Sequence, residues 1–292
     1  MSPSASSNRH YLSPKQVARA LGTSESTVKR WVDTNRLAAE RTLGGHRRIL
    51  AQDVLDLVRR EGLPHLDLTA LQGEHVPIPT DELADRLHAA LQAGNLDEVR
   101  SLILDAGLPV AVLADEVITP VLWRIGQAWA LGETDVYCEH RATHLCHAAI
   151  SSLEARTATA NPLADDRPLA LGGGPEGDHY VLANLLVGLA LREVGWRVVN
   201  LGPNTPFCAL RRAMADLRPR LVWLSCSYLV DAEAFLREYE EFYGQAEKGG
   251  VSVAIGGQAL TEAIRRRMTF AHFGDRIGQL TAYAGELLAL QH

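Results

Sequence analysis

The chain has 292 residues, is 47% hydrophobic and carries 29 Lys/Arg against 35 Asp/Glu, so it can bury ordinary cores in two or three domains. No apolar run approaches the roughly 20 residues a membrane span needs, and Met1–His10 lacks the apolar centre of a signal peptide. Cys138, Cys146, Cys208 and Cys226 form no C-x-x-C pair, which argues against a zinc site and a disulfide framework and predicts reduced thiols in the cytoplasm. The net charge of −6 conceals an asymmetry: residues 1–61 hold 11 Lys/Arg and 6 Asp/Glu, the remainder 18 and 29. A basic head on an acidic body suggests that only the head meets a polyanion.

The head spans residues 11–62. Ser13-Pro14 starts a helix with a capping hydroxyl and a proline at the first helical position. Val17, Ala20 and Leu21 give its apolar face, and Gly22 makes the turn. Ser24 caps a second helix with Val28, Trp31 and Val32 inward, leaving Ser26, Thr27, Lys29 and Arg30 outward. Two short helices about a glycine turn form a helix-turn-helix, whose second helix enters the major groove of DNA. In Arg41-Thr-Leu-Gly-Gly-His-Arg-Arg-Ile49, the Gly44-Gly45 pair suits a hairpin turn, and His46, Arg47 and Arg48 decorate a β-wing beside phosphates. These residues resemble the winged helix-turn-helix of the MerR regulators and excisionases.

A linker with Pro64, Pro77 and Pro79 covers 63–79. Residues 80–156 predict four amphipathic helices joined by short connections, hence an antiparallel four-helix bundle. The first reads Leu83, Leu87, Leu91 and ends at Gly94-Asn95; the second reads Leu96, Val99, Leu102, Ile103. The others run from Pro109 to about Leu131 and from Asp135 to about Arg156. A second linker covers 157–168. In 169–292, Leu169-Ala-Leu-Gly, Arg197–Leu201, Leu221–Ser225 and Val251–Ile255 alternate with helices over Asp178–Val194, Cys208–Leu217 and Ala232–Tyr243. That order predicts an α/β, doubly wound, Rossmann-like parallel sheet with its ligand above the carboxyl ends of the strands.

Ile125-Gly126-Gln-Ala-Trp129-Ala-Leu-Gly132, followed by Glu139-His140, resembles the CarH family of cobalamin-dependent photoreceptors. The resemblance extends over about residues 80–290. It implies a bundle that caps a corrin, with Trp129 over the adenosyl group of adenosylcobalamin, Glu139 hydrogen-bonded to it, and His140 taking the upper axial position on cobalt once light has broken the Co–C bond. It further implies His179 as the lower cobalt ligand, and Ser225-Cys-Ser227-Tyr-Leu229 and Gly256-Gly257 as the lining of the nucleotide-tail pocket. Function follows as an expectation: a non-enzymatic repressor that binds operator double-stranded DNA as a homo-oligomer, a tetramer, in the dark, and releases it in light.

The chain departs from the family pattern of an acid, any residue, His, two residues and Gly. Gly177 stands two before His179, with Glu176 and Asp178 beside it, and Leu182 stands three after. His140, His144 and His147 fall on one helix face, where histidines chelate a metal or face a second tetrapyrrole; the plainer reading is a polar face lining the pocket. Two alternatives have their own tests. Gly172-Gly-Gly174-Pro-Glu-Gly177 matches a dinucleotide fingerprint, but Asn200-Leu-Gly202 stands where a ribose-binding acid is needed. A cobalamin enzyme needs a substrate domain that residues 1–79 are too few to supply. A regulator reading another tetrapyrrole without light dependence is the remaining alternative.

Overall fold

The computed structural model describes residues 11–41, 47–61, 78–157 and 166–290. The chain divides into two compact units, Met1–Val76 and Pro77–His292.

In the first unit, β1 (Tyr11–Leu12), α1 (Pro14–Ala20), α2 (Glu25–Asp33), β2 (Glu40–Arg41), β3 (Arg47–Leu50) and α3 (Ala51–Glu61) follow in order. Ser13 closes a reciprocal capping box with Gln16, and the Ser24 hydroxyl accepts from the Thr27 amide, so both helices start where the capping residues stand. Val17, Val28, Trp31, Leu37, Ile49, Val54 and Leu57 form the core. The strands pair antiparallel in the order β1-β3-β2, with Glu40 opposite Arg48 and Arg41 opposite Arg47. The Gly44-Gly45 turn and His46 lie outside the described residues.

The second unit opens with the bundle: α4 (Thr80–Ala93), α5 (Leu96–Leu104), α6 (Val110–Val112, Leu113–Ile118 and Thr119–Ala130 in succession) and α7 (Val136–Thr157). Gly94, at φ 74°, ends α4, and the Asn95 side chain caps α5. The third helix, expected to be uninterrupted, has a helical start Val110–Val112, a π-helical stretch Leu113–Ile118 and a continuation Thr119–Ala130. Pro120 has no N–H for the carbonyl four residues back, and the ladder widens just before it. In this stretch the Asp115 carboxylate accepts from the amides of Ile277 and Gly278, at 2.9 and 2.8 Å, and Glu116 pairs with Arg276 at 2.7 Å.

The α/β part has β4 (Leu169–Gly173), α8 (Leu182–Glu193), β5 (Arg197–Asn200), α9 (Phe207–Leu217), β6 (Leu221–Ser225), α10 (Ala232–Lys248), β7 (Ser252–Gly256), α11 (Glu262–Arg265), β8 (His272–Gly274) and α12 (Ile277–Ala289). All five strands are parallel, in the order β5-β4-β6-β7-β8. Strand order reverses between β4 and β6, and a ligand crevice opens at such a switch point, outside the carboxyl ends. One expectation is corrected: the helix predicted from Asp178 begins only at Leu182. Asp178–Val181 stays irregular because the Asp178 carboxylate, which would cap a helix, is used by backbone amides of its own turn and of the turn after β6.

The glycine run at the end of β4 has a packing cause. A Cβ on Gly172 would lie 2.2 Å from both the ring and the carbonyl oxygen of Trp223, a buried side chain on β6. Gly172 and Gly173 belong to the strand, and no helix starts at Gly177, so the run does not make the glycine loop of a dinucleotide site.

Candidate functional site

Four turns meet at the carboxyl edge of the sheet, and those after β4, β6 and β7 carry residues named from the sequence. The turn after β4 carries His179 and Tyr180, both exposed, beside Asp178, which is fully buried. The turn after β6 carries Ser225, Ser227 and Leu229: Ser225 is buried, Ser227 and Leu229 half-buried. The turn after β7 carries Gly256 and Gly257, where a Cβ on Gly257, at φ 110°, would lie 2.3 Å from the Cys226 carbonyl oxygen. Only a glycine lets these two turns close flush. The Cys226 amide donates to Gly256 O at 2.8 Å and the Ala259 amide to Cys226 O at 3.0 Å. Cys226 is buried, and burial pushes its thiol far up, with the nearby Asp178 carboxylate adding to the shift. It is inert wall, not nucleophile.

Whether these residues fit a corrinoid can be tested on the edge itself. The surfaces of Ser225, Ser227, Gly256 and Gly257 are small and polar, which suits close approach of a nucleotide tail. Asn184, at the start of α8, is buried, and its amide nitrogen is without a partner among the described residues. A Cβ on Gly174 would lie 3.0 Å from that nitrogen and 3.5 Å from Ser225 O, so an orphan donor sits beside the β6 wall. His179 has no hydrogen-bond partner among the described residues, and its neighbouring acid is committed elsewhere. The small residues and the orphan donor suit a nucleotide tail; the oriented histidine of the family pattern is not reproduced among the described residues.

The other wall comes from the bundle. Glu154 and Arg192, near the carboxyl ends of α7 and α8, pair at 2.9 Å, and Leu182, Leu185, Leu186 and Leu189 pack along the bundle core. The two helices therefore begin on the same side; at 1.5 Å per residue the start of α8 lies about 15 Å from that pair and the turn before α7 roughly 28 Å, so the bundle turn stands beyond the carboxyl edge. On this turn Trp129 is 48% exposed, Glu139 half-buried and His140 exposed. The Glu139 carboxylate accepts from the Thr143 hydroxyl at 3.0 Å and stands 3.6 Å from the His140 imidazole. Side-chain hydrogen bonds with Thr134 and Tyr137 hold the Cys138 thiol below its ordinary range. His144 is exposed and His147 half-buried on the same helix; among the described residues no three His, Cys, Asp or Glu converge as a metal cluster.

Nine large hydrophobic residues are exposed among those described, and seven belong to these two walls: Trp129, Leu131, Val136 and Tyr137 on the bundle turn, and Tyr180, Tyr228 and Val230 on the sheet edge. Concentrated exposed apolar surface of this kind marks a binding site. Sequence reasoning gave no role to Tyr180 or Asn184 and saw Asp178 only as a displaced acid. An acid between a glycine and two aromatic residues at a strand end was the available signal.

In the first unit, Ser26, Lys29 and Arg30 are exposed on α2 and Thr27 is half-buried. Lys29 pairs with Glu25 at 2.7 Å. Arg48 is exposed on β3, whereas Arg47 is only 23% exposed and donates to Asp33 at the end of α2 at 2.7 Å. Arg47 thus fixes the wing strand to the second helix, and α2 and β3 present Lys29, Arg30 and Arg48 as cations.

Comparison with known proteins agrees with this division. Residues 11–62 match a helix-turn-helix domain and residues 83–154 a B12 binding domain. The chain is 30% identical over 226 residues to the HTH-type transcriptional repressor CarA of Myxococcus xanthus, covering 72% of this chain and 75% of that protein. It is 34% identical over 173 residues to the repressor CarH of the same organism, covering 59% and 56%. The monomethylamine corrinoid protein of Methanosarcina barkeri shares the fold at a TM-score of 0.59 and 16% identity, over 71% of this chain and 99% of that one. With a helix-turn-helix head, a B12-binding bundle and a parallel sheet in this order, the chain belongs to the CarA/CarH family of cobalamin-binding transcriptional regulators.

Proposed function

We propose that the chain is a light-responsive, MerR-type repressor acting in the cytoplasm on operator double-stranded DNA, not an enzyme. In this reading adenosylcobalamin lies between the bundle turn and the carboxyl edge of the sheet, and the dark protein is a homotetramer. The observation that carries it is the clustering of seven exposed large hydrophobic residues on those two walls, above a floor of small residues.

When bound, the cofactor supplies a light-sensitive cobalt–carbon bond and a bulky upper group. Trp129 and Glu139 would enclose and hydrogen-bond that group. His140, exposed beside Glu139, would be available to bind the metal once the group has left, since a neutral imidazole is a good nitrogen ligand. His179 would hold the metal from the sheet side, and Ser225, Ser227, Leu229, Gly256 and Gly257 would hold the tail. Lys29, Arg30, Arg48 and His46 meet phosphates, with Ser26 and Thr27 toward the groove and Arg47 bracing the wing. A short head makes few contacts, so avidity from assembly makes the dark oligomer the form that grips DNA.

That His179 has no orienting partner among the described residues, together with the three histidines of α7, favours a second reading: a regulator that senses a different tetrapyrrole without light dependence. One experiment separates the two. Protein reconstituted in darkness with adenosylcobalamin should take up one equivalent, run as a tetramer and retain operator DNA, and illumination should lower both mass and affinity. Corrinoid uptake with unchanged mass and affinity in light would remove the photoreceptor function. Failure to take up any corrinoid, with uptake of another tetrapyrrole, would favour the second reading.

A further inference from the structure

Asp178 uses every polar group it has. Its amide donates to Pro175 O at 3.0 Å and its carbonyl accepts from the Asn204 amide at 2.7 Å. One carboxylate oxygen, Oδ1, accepts from the Tyr180 amide at 3.0 Å. The other, Oδ2, accepts from the Ser227 and Tyr228 amides at 2.6 and 3.2 Å. Asn204, held at φ 53°, accepts with its side-chain oxygen from the Gly177 amide at 2.8 Å. On the far side, Gln258 donates to Ser227 O at 3.4 Å. The turns after β5, β4, β6 and β7 are thus joined in series, and the link across the switch point is one carboxylate with no exposed surface.

A carboxylate removed from water is costly unless its oxygens are satisfied, and three amide donors supply that here. Packing alone does not require a charge at this position. What the charge accomplishes is to hold the Ser227–Tyr228 backbone against the turn that carries His179 and Tyr180.

We propose that Asp178 is a positioning residue: it sets the gap between the axial-ligand turn and the tail-pocket wall, and thereby makes the site select corrinoids that carry the nucleotide tail. The inference rests on the corrinoid reading above. An asparagine is nearly isosteric but accepts on one atom only, so Asp178→Asn turns an amide donor toward the amides of Ser227 and Tyr228 or of Tyr180. The first orientation releases the wall from the turn, and the second breaks the Tyr180 bond that shapes the turn itself, so either way the gap between them changes, which a tailed ligand feels and a tailless one does not.

The test compares cobalamin with cobinamide, which has the ring without the nucleotide tail, on the full chain. Wild type should prefer cobalamin, and Asp178→Asn should lose about tenfold in cobalamin affinity, equivalent to roughly 1.4 kcal/mol, while cobinamide affinity stays nearly constant. A merely structural role would weaken both ligands alike or lower thermal stability without altering their ratio, and either result overturns the proposal. A second measurement needs no variant. Amide hydrogen exchange on the wild-type protein without cofactor should find Ser227 and Tyr228 already protected; free exchange there, with protection only after cobalamin is added, would assign the wall to the ligand instead of Asp178. If wild type takes up neither corrinoid, the cobalamin reading falls and this inference with it; if wild type discriminates and Asp178→Asn discriminates equally, only the inference falls.

Discussion

At the scale of single residues, adjacent positions on both walls divide their work by burial. Asp178 is enclosed and its neighbour His179 exposed; Glu139 is half-buried and hydrogen-bonded while His140 reaches solvent. The enclosed member sets the backbone or a hydrogen bond, and the exposed one is free to bind. His140→Ala should therefore leave corrinoid uptake in darkness unchanged. It should lose most of the corrinoid retained through gel filtration after illumination, measured by absorbance in the protein peak; full retention would take the upper-ligand role from His140. Gly172→Ala is expected to fail differently. Its methyl group would enter the space of Trp223, and overpacking of that kind costs typically 1–3 kcal/mol, read as a lower midpoint in urea unfolding. The residues that sequence reasoning named lie on the two walls, and they could be picked out because their types stand at recognisable spacing; their roles there are proposals. Asp178 was seen only as a displaced acid, since its function depends on amides 49 and 50 positions away, which no local pattern encodes.

At the scale of elements, helix starts were legible where the capping residue is local. Ser13, Ser24 and Asn95 each accept from an amide three residues on, and each helix begins there. Tertiary demand overrode the pattern at two places. Competition for the Asp178 carboxylate delays α8 to Leu182, and Pro120 reshapes the ladder of α6. The wing shows a comparable division of labour. Arg47 and Arg48 look alike in sequence, yet Arg47 is tied to Asp33 and only Arg48 is well exposed. Arg48→Ala should reduce the slope of log affinity against log salt by about 0.9, the share of one lost phosphate contact. Arg47→Ala should weaken DNA binding with a smaller change of slope, because it loosens the wing more than it removes a contact. Equal slopes for the two variants in a salt titration would contradict that assignment.

At the scale of the molecule, the sequence separated bundle and sheet by a linker, whereas the structure gathers both into the single unit Pro77–His292. The reason is shared core: Leu186, Leu189 and Ala190 of α8 lie in one cluster with the bundle helices. A fragment beginning at residue 78 should accordingly fold without the head and take up corrinoid stoichiometrically, as an absorption titration would show; a folded fragment that binds none would place part of the site in the head. The same unity gives the π-helical stretch of α6 a mechanical meaning. Asp115 is the acceptor for the first two amides of α12, so the amino end of the last helix is secured by a side chain of the bundle as well as by its own Gln279, which accepts from the Asp275 and Arg276 amides. Such a connection behaves as a fuse. A shift of α6 large enough to withdraw Asp115 would leave Ile277 and Gly278 without their acceptor, and α12 would fray from its beginning, next to the edge strand β8. Disturbance of the bundle would then surface on the flank of the sheet, far from where it arose.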